Sequence, residues 1–219
     1  MRLLVYFDTK GSTMATWGPP CDSSNLTPVL LFGQTETVHR CAVEAFKYAE
    51  LLALRTAYGR MLVARDERTD FQTYACRPIR GTENTWSNHS WARATDIRPS
   101  ANPMREDGVL ITDFDKFGYR DGLAFIYAFL DAGFRWGGTW SHDKATAASA
   151  LHRNGQKVRD GRVDTMHFEL DQPEPITDGW VRRLRAYRLA NPRYMARVLR
   201  AADVKTCEQL VAAWHACRA

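Results

Sequence analysis

The sequence predicts an α+β fold: a small, mainly antiparallel sheet packed against helices, with a C-terminal helical appendage. Three observations carry this. Helical and strand-like stretches interleave without the regular period of repeated βαβ units. Several segments place apolar residues on a 3.6-residue period, as amphipathic helices do. Others are short β-prone runs bounded by Gly, Pro and Asn. At 219 residues the chain has the length of one domain with a substantial core. The expected division is a main domain over 1–175 and a basic helical extension over 176–219.

Met1–Asp8 is apolar for only five residues and lacks a small-residue cleavage site, so it reads as a first strand and not as a signal peptide. Thr35 to Tyr58 carries Val38, Ala42, Ala45, Phe46, Ala49 and Leu52, the stripe of one helix stopped by Gly59. Met61–Ala64 and Thr73–Cys76 are short strand candidates, and Gly81 to Trp86 is a polar loop. Ala94–Ile97 reads as a strand closed by Pro99. Asp121 is expected to cap a helix running through Asp131, with Gly133 as its stop. Phe134–Trp136 is a strand ending at Gly137-Gly138. Residues 141–163 form a polar insertion with one short helix around Ala145–His152. Thr165–Leu170 is a strand, and two or three helices finish the chain.

Hydrophobic content of 45% and charged content of 25% are ordinary for a globular domain. No stretch approaches the roughly 18 apolar residues of a membrane span. The five cysteines (Cys21, Cys41, Cys76, Cys207, Cys217) are odd in number and lack paired spacing. This predicts free thiols in a chain made in a reducing cytosol. Net charge is +5, concentrated at Arg182, Arg183, Arg185, Arg188, Arg193, Arg197 and Arg200. Such a surface attracts nucleic acid, anionic lipid or an anionic cell-wall polymer, unless it is simply a solvated helix face.

Two segments carry the chemistry: Ser87-Asn88-His89-Ser90-Trp91-Ala92-Arg93-Ala94 with Asp96 beyond it, and Asp164-Thr165-Met166-His167-Phe168-Glu169. Two histidines and a carboxylate are zinc-binding types, and three protein ligands leave a position for water. His89 and Asp96 are seven apart, which one straight strand would point to opposite faces. A turn through Ser90–Arg93, with Asp96 on the following strand, solves this. Ala94 and Asp96 then face one way, Thr95 and Ile97 the other. On the second segment, alternation sets His167 and Glu169 on the site face and Met166, Phe168 and Leu170 on the core face. Asp164 and Glu169 compete as the base acting on a metal-bound water.

Ser87-x-His89-x6-Asp96, with Ala94 two before the aspartate, resembles the S-x-H-x-x-G-x-A-x-D motif of the VanY-like D-alanyl-D-alanine carboxypeptidase family of zinc metallopeptidases, which also includes L-alanyl-D-glutamate endolysins. Trp136-Gly137-Gly138-Thr139-Trp140 and Asp164-x-Met166-His167-Phe168-Glu169 resemble its W-G-G-x-W and D-x-M-H-F-E segments, and Tyr74-Ala75-Cys76-Arg77 its tyrosine-to-arginine stretch. The resemblance implies zinc held by His89, Asp96 and His167, Asp164 as base, and Arg77 as the contact to a substrate carboxylate or developing oxyanion, with Arg80 as a rival. Residues 1–175 would then be the zinc peptidase domain. Ala92 departs from the motif glycine; if that position needs positive φ, alanine costs about 1 kcal/mol. The insertion at 141–163 is a second departure, and its His142, Asp143 and His152 are expected on a solvent-facing rim.

The implied function is hydrolysis of an amide bond in peptidoglycan stem peptides, as by a phage-type endolysin made without a signal peptide and acting on the wall after release. The basic helices would contact an anionic wall polymer, with no membrane partner and nucleic acid disfavoured. The competing reading is a non-catalytic, zinc-stabilised wall-binding module. Ser87 lacks a nucleophile elbow around it and is expected to hydrogen-bond near the first ligand. Among Trp86, Trp91, Trp136 and Trp140, aromatic core is the default role.

Overall fold

The computed structural model describes residues 17–65, 70–83 and 85–170. The expected first strand at Met1–Asp8, the basic extension over 176–219 and its arginines lie outside these residues. Eight strands are described: β1 (Leu26–Leu31), β2 (Gln34–His39), β3 (Phe71–Gln72), β4 (Ala94–Ile97), β5 (Met104–Arg105), β6 (Phe134–Trp136), β7 (Val163–Asp164) and β8 (His167–Leu170). The helices are α1 (Val43–Ala53), α2 (Ala57–Arg65), α3 (Tyr119–Asp131) and α4 (Lys144–His152). Every strand pairing is antiparallel, so the α+β expectation holds.

The sheet that matters most has the order β3-β4-β8-β6. Its core face is set by period-two alternation: Ile97 from β4, Phe168 and Leu170 from β8, and Phe134 and Trp136 from β6 are all fully buried. Helix α3 lies over this face with Phe125, Ile126 and Phe129 inward. Phe129 meets Phe168 at a ring-centroid distance of 4.5 Å and Phe134 at 5.4 Å. Burying such a side chain contributes roughly 1.5–3 kcal/mol, so this aromatic layer fixes which face of β8 turns away from the core.

The strands at Ala94–Ile97 and Phe134–Trp136 and the helix in the insertion stand where the sequence placed them, and β8 fills the last four positions of its predicted run. Three elements differ. The helix predicted over Thr35–Tyr58 is in fact β2, a short 3-10 turn at Arg40–Ala42, and α1. Val38 fits both periods, and the β-branched Thr35, Thr37 and Val38 favour a strand. β1 and β2 join through Phe32 and Gly33, both at positive φ (48° and 85°), the two-residue hairpin geometry that matches strand twist. Phe32 tolerates it because its ring is buried and its N–H donates to Glu50 Oε1 at 2.6 Å.

Met61–Ala64, expected as a strand, belongs to α2, which passes straight through Gly59. Gly59 is there for close approach: a Cβ on it would lie 2.1 Å from the Ala53 carbonyl oxygen. Asp121 does not cap its own helix, whose N-cap is Gly118. Its carboxylate instead accepts from the N–H groups of Ala57 and Tyr58 at 2.7 and 3.0 Å, capping α2 across a gap of more than sixty residues. Finally, Thr73–Cys76 is an irregular arm following the two-residue β3.

Gly59→Ala tests the packing argument, because helix propensity and sterics oppose each other. Propensity favours alanine by about 1 kcal/mol, whereas a backbone clash typically costs about 1–3 kcal/mol. The expected result is net destabilisation in urea unfolding; a more stable variant would show that the α1–α2 corner does not require the close approach.

Candidate metal centre

β4 and β8 pair so that Asp96 stands directly opposite His167, and cross-strand partners on one face bring their side chains together. His89 reaches the same point from a 3-10 turn at Asn88–Trp91. Ser87 caps this turn, its hydroxyl accepting from the His89 N–H at 3.4 Å, as expected of it. The turn closes at Ala92, which is fully buried at φ 50° in the left-handed region. Position 92, where the resembled motif carries glycine, is therefore at positive φ in this chain, and alanine tolerates it with both carbonyls of Asn88 and His89 receiving its N–H.

The donor atoms form a tight triangle: His167 Nδ1 to Asp96 Oδ1 is 2.9 Å, His89 Nε2 to Asp96 Oδ1 is 3.2 Å, and His89 Nε2 to His167 Nδ1 is 3.2 Å. A tetrahedral ion with bonds of about 2.0–2.2 Å separates its ligand atoms by roughly 3.3–3.6 Å. The triangle is slightly smaller than this, so an ion fits with a small outward movement. The outer nitrogens are already committed. His89 Nδ1 lies 2.7 Å from the Thr73 carbonyl, and His167 Nε2 lies 3.2 Å from Glu169 Oε2. Backing by a carbonyl and a carboxylate fixes which nitrogen of each ring faces inward, the usual outer arrangement around metal-bound histidines. Among the described residues, His89, Asp96 and His167 are the one group with this capacity.

The electrostatics reflect crowding of charge out of water. Burial alone would push His167 down, but hydrogen bonds to Asp96 and Glu169 outweigh it and raise its pKa to about 10. Burial likewise pushes Asp96 up, yet hydrogen bonds from His167 and His89 prevail and hold it well below the usual carboxylate range. At Asp164 the attraction of His167 does not prevail over burial. Burial raises it to about 6, with Asp96 adding repulsion, and its Oδ1 is buried without a hydrogen-bond partner. A cation in the triangle would supply the compensating charge.

A cavity of about 530 Å³ opens over the triangle, lined by Tyr74, Arg77, Arg80, Trp140, Arg162 and Asp164 among others. Arg77 and Arg80 are both exposed at its mouth; the Arg77 guanidinium makes a long contact of 3.5 Å to the Pro78 carbonyl. Glu169, the rival base, sits behind His167, accepting from Asn88 Nδ2 as well as from the ring. Trp136 belongs to the core, whereas Trp140 lies with its ring 5.4 Å from that of His167. His142, Asp143 and His152 are exposed, with Asp143 capping α4.

One expectation is overturned. Cys21 and Cys76 form a disulfide with their Cα atoms 5.3 Å apart, so these two are not the free thiols of a reducing compartment. Spacing could not reveal it, since the partners are 55 residues apart. They meet because Cys21 N–H donates to the Ser90 carbonyl and Ala75 N–H to that of His89, which brings both segments against the histidine turn. Sequence reasoning also passed over Thr73, Asn88 and Arg162.

Residues 80–145 match the family model described as D-alanyl-D-alanine carboxypeptidase, so the resemblance read from the motifs holds. The match includes His89 and Asp96 and ends before Asp164 and His167, which the sheet pairing brings to the same place. No curated protein and no solved structure matches the chain.

Asp164 yields a pH-dependent prediction for the metal-free protein. Its folded pKa is raised, so the neutral acid is favoured. That stability is fully present below the unfolded value near 4 and is lost as pH rises through about 6. Asp164→Asn cannot ionise and should be more stable than the parent at about pH 8, by roughly 2 kcal/mol. The advantage should shrink toward about pH 5. Urea unfolding in chelator at both pH values checks it; an equal difference at the two would mean Asp164 is not held neutral by burial.

Proposed function

We propose that the chain is a zinc peptidase hydrolysing an amide bond in peptidoglycan stem peptides, in the manner of a phage-type endolysin cutting L-Ala-D-Glu or D-Ala-D-Ala. The observation that carries it is the convergence of His89, Asp96 and His167 beside a buried carboxyl with an unmet oxygen, within a chain whose residues 80–145 match a peptidase family. Zinc suits two imidazoles and one carboxylate with one position left for water. When bound there it would supply Lewis acidity, polarising a carbonyl and acidifying a water.

The chain's own residues supply the rest. His89 and His167 present one nitrogen each, their rings held from behind by Thr73 and Glu169. Asp164 is the base: its unpartnered Oδ1 takes the proton of the attacking water and returns it to the leaving amine. A carboxyl raised toward neutrality binds that proton more readily than an ordinary aspartate. Glu169, engaged by Asn88 and His167, is left to orient the ligand. Arg77 at the cavity mouth suits a substrate carboxylate, because its guanidinium stays charged and donates as a fork. Arg80 and Arg162 line the same cavity and add to its preference for anionic peptides.

The disulfide supports action outside the reducing cytosol, where such a bond persists. No helix among the described residues is long and apolar enough to cross a membrane. Contact of an anionic wall polymer with the basic residues of 176–219 completes the proposal.

Asp164→Ala should lower the release of new amines from purified cell walls by about 10²–10⁴-fold while zinc stays bound, and chelator should abolish release by the parent protein. Unimpaired hydrolysis by the variant would remove Asp164 from the mechanism. Bound metal without any new amines from the parent protein would replace the peptidase with a wall-binding module.

A further inference from the structure

A second network lies behind the metal ligands, and it runs between the two motif segments. Arg93 is 2% exposed, a costly place for a guanidinium unless its donors are met. Its two terminal nitrogens reach specific acceptors. Nη1 donates to the Leu170 carbonyl at 2.6 Å and Nη2 to Asn88 Oδ1 at 2.7 Å. The guanidinium also lies near the Trp17 and Trp91 rings, 5.3 and 5.6 Å from their centroids. Its own backbone carbonyl accepts from the Leu170 N–H at 2.9 Å, so Arg93 grips the end of β8 twice.

Asn88 then turns the polarity round. An arginine offers only donors and a carboxylate only acceptors, so the amide oxygen must face Arg93 and the amide nitrogen must face Glu169. The Asn88 Nδ2 does donate to Glu169 Oε2, the same oxygen that meets His167 Nε2 at 3.2 Å. The other Glu169 oxygen has Arg135 Nη1 at 4.0 Å. The order is therefore Arg93 to Asn88 to Glu169 to His167, starting beside the first histidine and ending on the second.

We propose that Asn88 and Arg93 are positioning residues: they fix the Glu169 carboxylate against His167, so that the ring presents Nδ1 to the metal in a single orientation. The inference rests on the metal-peptidase reading. Outer partners of this kind alter metal affinity by about 10–100-fold, and a carboxylate free to rotate about its side-chain torsions would lose that control. Asparagine is required at 88 because aspartate would satisfy Arg93 yet turn an acceptor toward Glu169.

The test uses the full chain and reads metal binding, not only hydrolysis. Zinc affinity is measured by chelator competition for the parent, Asn88→Ala, Glu169→Ala and the double variant, with melting curves for each. If Asn88 acts through Glu169, Asn88→Ala weakens zinc by about tenfold or more, and the double variant binds no more weakly than Glu169→Ala alone. Independent, multiplying losses, or unchanged affinity in Asn88→Ala, would overturn the relay. As a second variant that retains the Arg93 bond, Asn88→Asp should melt below the parent, because it sets a carboxylate against Glu169, and shift the visible absorption of the cobalt-loaded protein; an unshifted spectrum also overturns it. Failure of the parent itself to bind zinc or cobalt would instead sink the metal-peptidase reading.

Discussion

The pairing register of β4 with β8 is the constraint on which the site depends. Asp96 meets His167 only because Ala94 pairs with Glu169 and Thr95 with Phe168. A slip of one residue would turn Phe168 and Leu170 out of the aromatic core and bury His167 and Glu169 in their place. The core therefore enforces the site: α3 and β6 hold the apolar face of β8, and His167 and Glu169 are left facing away from it. β8 lies between β4 and β6 in the sheet, which places it among the elements least free to shift. Nothing about the His89–Asp96–His167 triangle has to be specified separately from the packing, except the arrival of His89.

That arrival is a local problem with a local solution. The turn from His89 into β4 needs a left-handed residue, and Ala92 serves at a position where glycine would be unstrained. Burial of its methyl group and the acceptance of its N–H by two carbonyls offset the cost. Around this turn several buried polar groups find specific partners: Thr73 for His89, Glu169 for His167, Asn88 for Arg93. Asp164 Oδ1 is among the buried atoms that do not. A buried carboxyl oxygen without a hydrogen-bond partner, on a residue that lines a cavity, calls for an explanation, and the proposed peptidase supplies one.

The parts legible in sequence were those whose signal is short-range. Alternation over Ala94–Ile97 and His167–Leu170 gave the correct faces, and the glycine at 133 stopped α3 as anticipated. The β1–β2 hairpin was not legible, because its turn uses Phe32 where the usual signal is Asn or Asp before Gly33. Gly59 misled for a related reason: its role is tolerance of the Ala53 carbonyl, a contact, and not termination. Asp121 shows the same thing in reverse, a correct cap residue serving a different helix. The disulfide and the Asn88–Glu169 contact join positions far apart in the chain, and a single sequence holds no local trace of either.

The site divides into a floor and a rim built by different physics. The floor is sheet and core-enforced, and it carries Asp96 and His167. The rim is the irregular arm from Thr73 to Arg77, which no strand pairing holds. It is tied down piecemeal: Ala75 N–H to the His89 carbonyl, Arg77 N–H to Ser90 Oγ, and the Cys21–Cys76 bond. Loops on a rigid scaffold are where recognition varies most readily. In the proposed peptidase, the arm bearing Tyr74 and Arg77 would therefore tune which peptide is accepted, while the sheet keeps the chemistry constant. Thr73 links the two. Its carbonyl backs His89, and its hydroxyl donates to the Thr37 carbonyl at 2.6 Å. A disturbance of the arm that reached Thr73 would be felt at His89, whereas one confined to Arg77 would not.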